Sequence, residues 1–185
     1  MTRICFLGPR DSNVRAELLA YETARSALAP YDLHEPFDNS LALDTISLGA
    51  AISLLNDLDW YLARVTDEVL VREPSVSETE WLSRDLARAV RSGAIDHEAT
   101  DAFLKVYGLE GDSLVEPMYV KRRNGTVPEY DLRDVDGTVV VRVTSDEFSG
   151  YISVVIGTPP TCGLSIVCRL CGGIFSMKAP SNSFH

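Results

Sequence analysis

The loop Gly8-Pro-Arg-Asp-Ser-Asn13 has residue types suited to binding an anion. It lies between a predicted strand and a predicted helix, where backbone N–H groups and the positive end of a helix dipole attract negative charge. Gly8, Arg10, Ser12 and Asn13 are the candidate anion-binding residues, with Arg10 as the charged donor. The loop matches neither G-x-G-x-x-G nor the Walker A pattern. The alternative interpretation is a turn whose polar residues cap the helix.

A basic run, Lys121-Arg122-Arg123, precedes an Asn-Gly pair that is typical of a hairpin turn. Two helices are predicted before it, over 77–93 and 96–108, so residues 80–144 have the element order of a winged helix. In that interpretation the basic run lies on the wing and contacts phosphate. The second helix, however, carries two acids and one lysine and no residue pair suited to base edges. A helical hairpin packed on a sheet is the alternative.

Three cysteines near the end of the chain, Cys162, Cys168 and Cys171, have the spacing of a single zinc knuckle. The Cys-x-x-Cys-Gly turn can present two thiolates to a tetrahedral ion, with Cys162 as third ligand and His185 as fourth. Only paired knuckles make a strong zinc signal. We therefore predict no cofactor, with zinc as the alternative. Cys5 falls in a predicted strand and is expected to be a core thiol.

Hydrophobic periodicity predicts the elements that position these residues. The predicted order is β-α-β-α-β followed by α-α-β-β-β, which is a mixed α/β (α+β) fold with a sheet packed against helices and an irregular C-terminal tail. Strands are predicted over 3–8, 41–47, 60–65 with 68–72, 114–122, 126–132 and 138–144, and helices over 14–28, 48–58, 77–93 and 96–108.

Four aromatic residues, Trp60, Trp81, Phe103 and Tyr107, are predicted to lie in the core. Any of them exposed together would instead mark a contact patch.

The charge is strongly acidic and unevenly distributed. The chain of 185 residues has 27 acids and 17 bases, a net charge of −10, and its bases are 14 Arg and 3 Lys. An acidic, lysine-poor surface suits a cytoplasm of high salt concentration, because salt screens its self-repulsion. Residues 1–148 hold all 27 acids and 15 of the bases, a net of −12, and residues 149–185 hold Arg169 and Lys178 only. We predict an acidic domain over 1–148 and an irregular or disordered tail over 149–185.

Five segments resemble a family of small uncharacterised proteins of halophilic archaea: Leu48–Leu58, Arg72–Val76, Thr79–Ser83, Phe103–Gly108 and Val127–Asp134. The resemblance covers about residues 1–148 and implies no activity, cofactor or catalytic residue. The tail lies outside it. An appended segment and an altered reading frame both explain such a tail, and its lack of acids favours the second, in which it is not native coding sequence.

The sequence shows no signal peptide and no apolar run long enough to span a membrane, so a cytoplasmic location is predicted. It also lacks the H-E-x-x-H and G-x-S-x-G patterns of common hydrolases. We predict a non-enzymatic domain that acts through a protein partner or as a small regulator. A winged-helix DNA-binding regulator and a small anion- or nucleotide-binding enzyme are the two alternatives.

Overall fold

The structure is a computed structural model, and it describes residues 1–122, 127, 135–156, 166–167 and 174–175. The chain divides into two compact units, residues 1–145 and 146–185. The first unit combines helices with a sheet of parallel and antiparallel strands, which confirms the predicted mixed α+β class.

Seven described strands form the mixed sheet that organises the first unit. The strands are β1 (Thr2–Leu7), β2 (Ser40–Thr45), β3 (Glu68–Arg72), β4 (Trp81–Ser83), β5 (Phe103–Glu110), β6 (Ser113–Lys121) and β7 (Gly137–Arg142). Their order in the sheet is β2-β1-β3-β4-β7-β5-β6. Among these described strands, β4 and β7 are parallel and the other neighbours are antiparallel.

The sheet is curled. The backbone N–H of Asp38, just before β2, donates to the carbonyl of Asp112 in the turn between β5 and β6, at 2.8 Å. β2 and β6 are the first and last strands in the order of the sheet. This bond therefore shows that the curl brings the residues before β2 close to the turn that precedes β6.

Five helices cover one face of the sheet at the β1–β3 end. They are α1 (Val14–Ala20), α2 (Glu22–Leu28), α3 (Leu48–Asp57), α4 (Asp59–Val65) and α5 (Arg84–Ser92), with a 3₁₀ turn at His97–Ala99. Ile4 and Phe6 of β1 meet Leu55 and Leu62 of the helices in a continuous buried core. Each fully buried side chain of this size contributes about 1.5–3 kcal/mol of hydrophobic stabilisation.

Polar residues fix where the helices begin. Asn13, Ser47 and Ser83 each accept a hydrogen bond from a backbone N–H in the first turn of α1, α3 and α5, at 2.8, 3.2 and 3.2 Å. Such caps satisfy N–H groups that have no partner within the helix. Gly93 ends α5 with a φ of 73°, as predicted for this helix.

The segment after α3 was predicted to be a strand, and this prediction is wrong. Residues 59–65 form α4 directly after α3, with no loop between the two helices. The spacing of Leu58, Leu62 and Val65 explains the difference, because all three are buried on one side of a helix. The single helix predicted over 14–28 is likewise two helices, separated by Tyr21 in an extended conformation.

Two further helix predictions are wrong. The helix predicted from Ser77 begins at Arg84, because residues 81–83 instead pair with β3 and β7 as β4. The helix predicted over 96–108 is the 3₁₀ turn followed by β5. Leu104 and Val106 are fully buried on one face of β5, and β6 and β7 pair with its two edges. Pairing on both sides satisfies the backbone as well as a helix would.

The strands predicted over 3–8, 41–47, 114–122 and 138–144 are confirmed as β1, β2, β6 and β7. The strand predicted over 126–132 and the hairpin turn before it lie outside the described residues, apart from Val127.

In the second unit the structure describes α6 (Ser145–Ile156), whose first residue ends the first unit, and a pair of short antiparallel strands, β8 (Ile166–Val167) and β9 (Ile174–Phe175). The rest of the acid-free tail lies outside the described residues, so its irregular character stays a prediction. No helix in the described part of the chain has the length and apolar character needed to cross a membrane.

Candidate functional site

Three aromatic rings meet on the surface of the helical layer. Trp60 is 53% exposed and Tyr21 is 37% exposed. Their ring centroids are 6.0 Å apart with the rings perpendicular, and Tyr61 lies 5.0 Å from each of them. Edge-to-face contacts of this kind hold aromatic rings in a fixed relative arrangement. We call Tyr21, Trp60, Tyr61 and Arg64 the Trp60 patch.

Arg64 completes the patch. Its guanidinium carbon lies 3.6 Å from the centroid of the Trp60 ring, and its Nη1 donates to the Trp60 carbonyl at 3.0 Å. The cation therefore stacks on the exposed indole and is bonded to the backbone of the same residue.

Local structure explains why these side chains lie at the surface. In α4 the buried residues Leu62 and Val65 face the core, which turns Trp60 and Arg64, one helical turn apart, towards solvent. Tyr21 stands at the corner between α1 and α2, where the extended backbone interrupts the helix. Tyr61 is half-buried and packs against the core.

The prediction that Trp60 lies in the core is wrong, whereas Trp81 and Tyr107 are buried as expected and Phe103 is half-buried. The error follows from the strand predicted over 60–65. The helical spacing of Leu58, Leu62 and Val65 was the signal that would have placed Trp60 on the opposite face.

The Gly8–Asn13 loop is occupied by side chains of the chain itself. Asn39 Oδ1 accepts a hydrogen bond from the backbone N–H of Val14 at 2.8 Å, and its Nδ2 donates to the Pro9 carbonyl. Asn13 Oδ1 takes the N–H of Ala16 at 2.8 Å. Two N–H groups that an anion would need at this helix terminus are thus already bonded.

The remaining loop residues serve the turn. Ser12 Oγ lies 3.0 Å from the Pro9 carbonyl oxygen, to which it donates. A Cβ atom at Gly8 would come within 2.7 Å of Asn39 Nδ2, so glycine permits the close packing of these two residues. Arg10 is exposed.

The structure corrects the winged-helix interpretation of residues 80–144. A recognition helix is required over His97–Tyr107, and that segment is instead a 3₁₀ turn and part of β5. Arg122 is ion-paired with Glu80 at 2.5 Å, and Lys121 is exposed with its Nζ 5.2 Å from the Phe103 ring centroid. Arg123 lies outside the described residues.

The cysteines of the zinc prediction, Cys162, Cys168 and Cys171, also lie outside the described residues. Within the described part of the chain, no three His, Cys, Asp or Glu side chains are grouped so that they could hold a metal ion. Cys5 is fully buried in β1, and burial raises the pKa of its thiol to about 12. It is therefore protonated and unreactive near neutral pH.

Two polar clusters hold the β5–β7 end of the sheet. Glu68 of β3 binds Lys105 Nζ at 2.6 Å and accepts a hydrogen bond from the Tyr107 hydroxyl. Burial raises the pKa of Tyr107 well above its ordinary value, and the negative charge of Glu68 adds to this shift. A tyrosine with a raised pKa stays protonated and donates a hydrogen bond, which fits a structural role. The second cluster centres on Glu80, which binds both Arg122 and Arg142.

A shallow cleft of about 550 Å³ lies where β1, α3 and α5 meet. Its lining includes Gly49 in the first turn of α3, Glu73, Arg91 and His97. Arg91 lies across Gly49 and is itself exposed. The cleft thus has charged groups on its rim, and Thr2, a buried polar residue of its lining, donates its hydroxyl hydrogen bond to Glu73.

The first unit is thus a curled mixed sheet with a helical layer and an exposed aromatic patch. A family model, described as a family of unknown function (DUF5804), matches residues 2–109. The match covers more than half of the 185 residues, and the chain belongs to this family. All four residues of the Trp60 patch lie within the matched region, and Lys121 and Arg122 lie beyond it. No curated protein and no solved structure matches the chain.

Proposed function

We propose that this protein acts by binding another protein through the Trp60 patch. The observation that carries the proposal is the exposure of Trp60 in contact with two tyrosine rings. Trp, Tyr and Arg are the residue types most enriched among those that dominate protein–protein binding energy. All four patch residues belong to these types.

The rigidity of the patch supports the same function. Each ring touches the other two, and Arg64 is held by stacking and by a hydrogen bond to backbone. Side chains that are already ordered lose little conformational entropy when a partner covers them. The Trp60 indole also presents a large apolar surface to a partner.

The test compares Trp60→Ala with Ile46→Ala, which removes another exposed apolar side chain, 84% exposed, outside the patch. A protein captured by the wild type at high KCl concentration is identified and purified. Its affinity for the wild type, Trp60→Ala and Ile46→Ala is then measured by calorimetry. We expect Trp60→Ala to weaken Kd by about 30-fold or more, as truncation of a dominant interface residue does. Ile46→Ala should bind like the wild type.

Equal affinity of wild type and Trp60→Ala for the purified partner would overturn the proposal. So would the failure of every captured protein to bind the purified wild-type chain directly. A melting temperature of Trp60→Ala close to that of the wild type shows that the comparison is made between folded proteins.

We further propose that the protein works in the cytoplasm of a halophilic archaeon. Its 27 acids against 17 bases and its 3 lysines support this setting. Exposed carboxylates such as Glu17, Glu22 and Glu98 carry the excess charge on the surface. High salt concentration screens repulsion among such groups.

A further inference from the structure

The charges around the Trp60 patch point to the chemistry of its partner. We infer that the patch binds an acidic protein segment in which a carboxylate lies next to a large apolar side chain. This inference rests on the proposed function and deepens it, because it names what the bound segment must contain.

Two arginines each follow a patch residue by four positions in the sequence. Arg64 follows Trp60 in α4, and Arg25 follows Tyr21 in α2. Both are exposed. The hydrogen bonds that the structure shows for their side chains go to backbone carbonyls, from Arg64 to Trp60 and from Arg25 to Leu19.

Neither arginine has a carboxylate partner among the described residues, although the chain has 27 acids. Nearby helical arginines differ in this respect. Arg15 pairs with Glu35 at 2.8 Å, and Arg84 pairs with Asp59 at 2.6 Å. Arg64 of the patch and Arg25 in α2 therefore carry positive charges that the described part of the chain does not neutralise.

The acids closest to the patch in sequence do not pair with its arginine or with Arg25. Asp59, one residue before Trp60, is bound by Arg84 and lies 3.7 Å from Arg88. Glu22, beside Tyr21, is exposed, and no ion pair joins it to Arg25 in the described part of the chain. The arginines are thus left to attract a negative group from outside.

The stacking of Arg64 fixes how that group would bind. A guanidinium that stacks on a ring leaves N–H donors along its edge exposed. Two such donors can bind the two oxygens of one carboxylate. An apolar side chain next to the carboxylate would then cover the exposed face of Trp60 and Tyr21. Burial beside the rings strengthens the ion pair, because it removes water from around the charges.

A nucleic acid would offer the same negative charge with bases that stack on aromatic rings. The observations favour a protein segment. Two arginines provide few phosphate contacts, and the net charge of −10 opposes the approach of a long polyanion.

The test selects random linear peptides displayed on phage against the wild type, Trp60→Ala and the double variant Arg25→Gln/Arg64→Gln. On the wild type we expect enrichment of Asp or Glu next to Leu, Phe or Trp. Trp60→Ala should enrich none of these peptides, and the double variant should lose the preference for acids. For a selected peptide made synthetically, Arg64→Gln should weaken Kd by about tenfold, the effect of one charge-assisted hydrogen bond. Arg91→Gln, which removes an exposed arginine elsewhere, should leave Kd unchanged.

The outcomes separate the inference from the proposed function. Peptides enriched equally by wild type and Trp60→Ala would refute both. Apolar or proline-rich peptides without acids, enriched only when Trp60 is present, would retain the proposed function and overturn the acidic partner. Acidic peptides that bind the double variant equally well would also overturn it. If the wild type bound an oligo-dT strand and Trp60→Ala abolished this binding, the ligand of the patch would be a nucleic acid and not an acidic protein segment.

Discussion

The Glu80 carboxylate accepts a hydrogen bond from Arg142, with Oε2 2.5 Å from Nε. Glu80 directly precedes β4, and Arg142 ends β7, so the bond crosses the parallel junction between β4 and β7. The second oxygen of Glu80 binds Arg122 Nη2 at 2.5 Å, at the end of β6. One carboxylate thus ties together two halves of the sheet, the strands β2-β1-β3-β4 and the strands β7-β5-β6.

Removing this carboxylate is expected to destabilise the first unit strongly. Glu80, Arg122 and Arg142 have side chains only 17, 11 and 13% exposed, and Glu80→Ala would leave two mostly buried cations without their shared partner. We expect a loss of about 3 kcal/mol in the free energy of unfolding. Urea denaturation measures it, with Glu78→Ala, an exposed neighbour, as the control that changes stability by less than about 0.5 kcal/mol. Equal losses in the two variants would contradict this role.

The loss of folding stability at acidic pH should depend on Asp44. Hydrogen bonds from Arg3, at 2.8 and 2.9 Å, lower the pKa of this carboxyl. A lowered folded-state pKa contributes stability that is present above the unfolded value of about 4 and is lost as pH falls through the folded-state value. Asp44→Asn should therefore flatten the fall in melting temperature below about pH 4.

The Asp44 effect should be modest, because the two side chains are 36 and 33% exposed and water screens the pair. Asp32→Asn, at an exposed carboxylate, is the control. If the melting temperatures of Asp44→Asn and the wild type fall in parallel below pH 4, the Arg3–Asp44 ion pair does not contribute to the loss of stability at acidic pH.

Gly108 is expected to tolerate no side chain. A Cβ atom there would lie 2.5 Å from Val115 Cγ2 and 2.8 Å from Val135 Cγ1, both too close for contact. Gly108→Ala should cost about 2 kcal/mol through forced movement of these neighbours. Val115→Ala removes one of the two clashing side-chain atoms. In a chain that carries Val115→Ala, Gly108→Ala should therefore lower the free energy of unfolding much less than it does in the wild type. A double variant whose loss is the sum of the two single losses would exclude the clash.

Salt should stabilise the folded chain. Raising KCl from about 0.1 M to about 1 M shortens the screening length several-fold, so the melting temperature should rise. The variant Glu17→Gln/Glu22→Gln, which removes two exposed charges, should show a smaller rise than the wild type. A melting temperature that is independent of KCl would contradict the proposed high-salt setting.

The candidate site shows where prediction from sequence failed. The segment of Trp60 to Val65 satisfies both the alternating pattern of a strand and the spacing of a helix, because Leu62 is buried in either. The two alternatives place Trp60 differently, and only the helix directs it outwards beside Arg64. Tyr21 is far enough from Trp60 and Tyr61 in sequence that no local pattern predicts its contact with them.

Local sequence determined those elements whose signals need no distant partner. The buried run of β1, the caps at Asn13 and Ser47, and the glycine that ends α5 are all set by nearby residues. Tertiary structure decided the rest. Residues 103–110 became a strand because β6 and β7 offered backbone partners on both sides, and the Trp60 patch formed because α1 and α4 pack together. Both outcomes depend on pairing and burial between segments distant in sequence, and these contacts outweigh intrinsic propensities of a few tenths of a kcal/mol per residue.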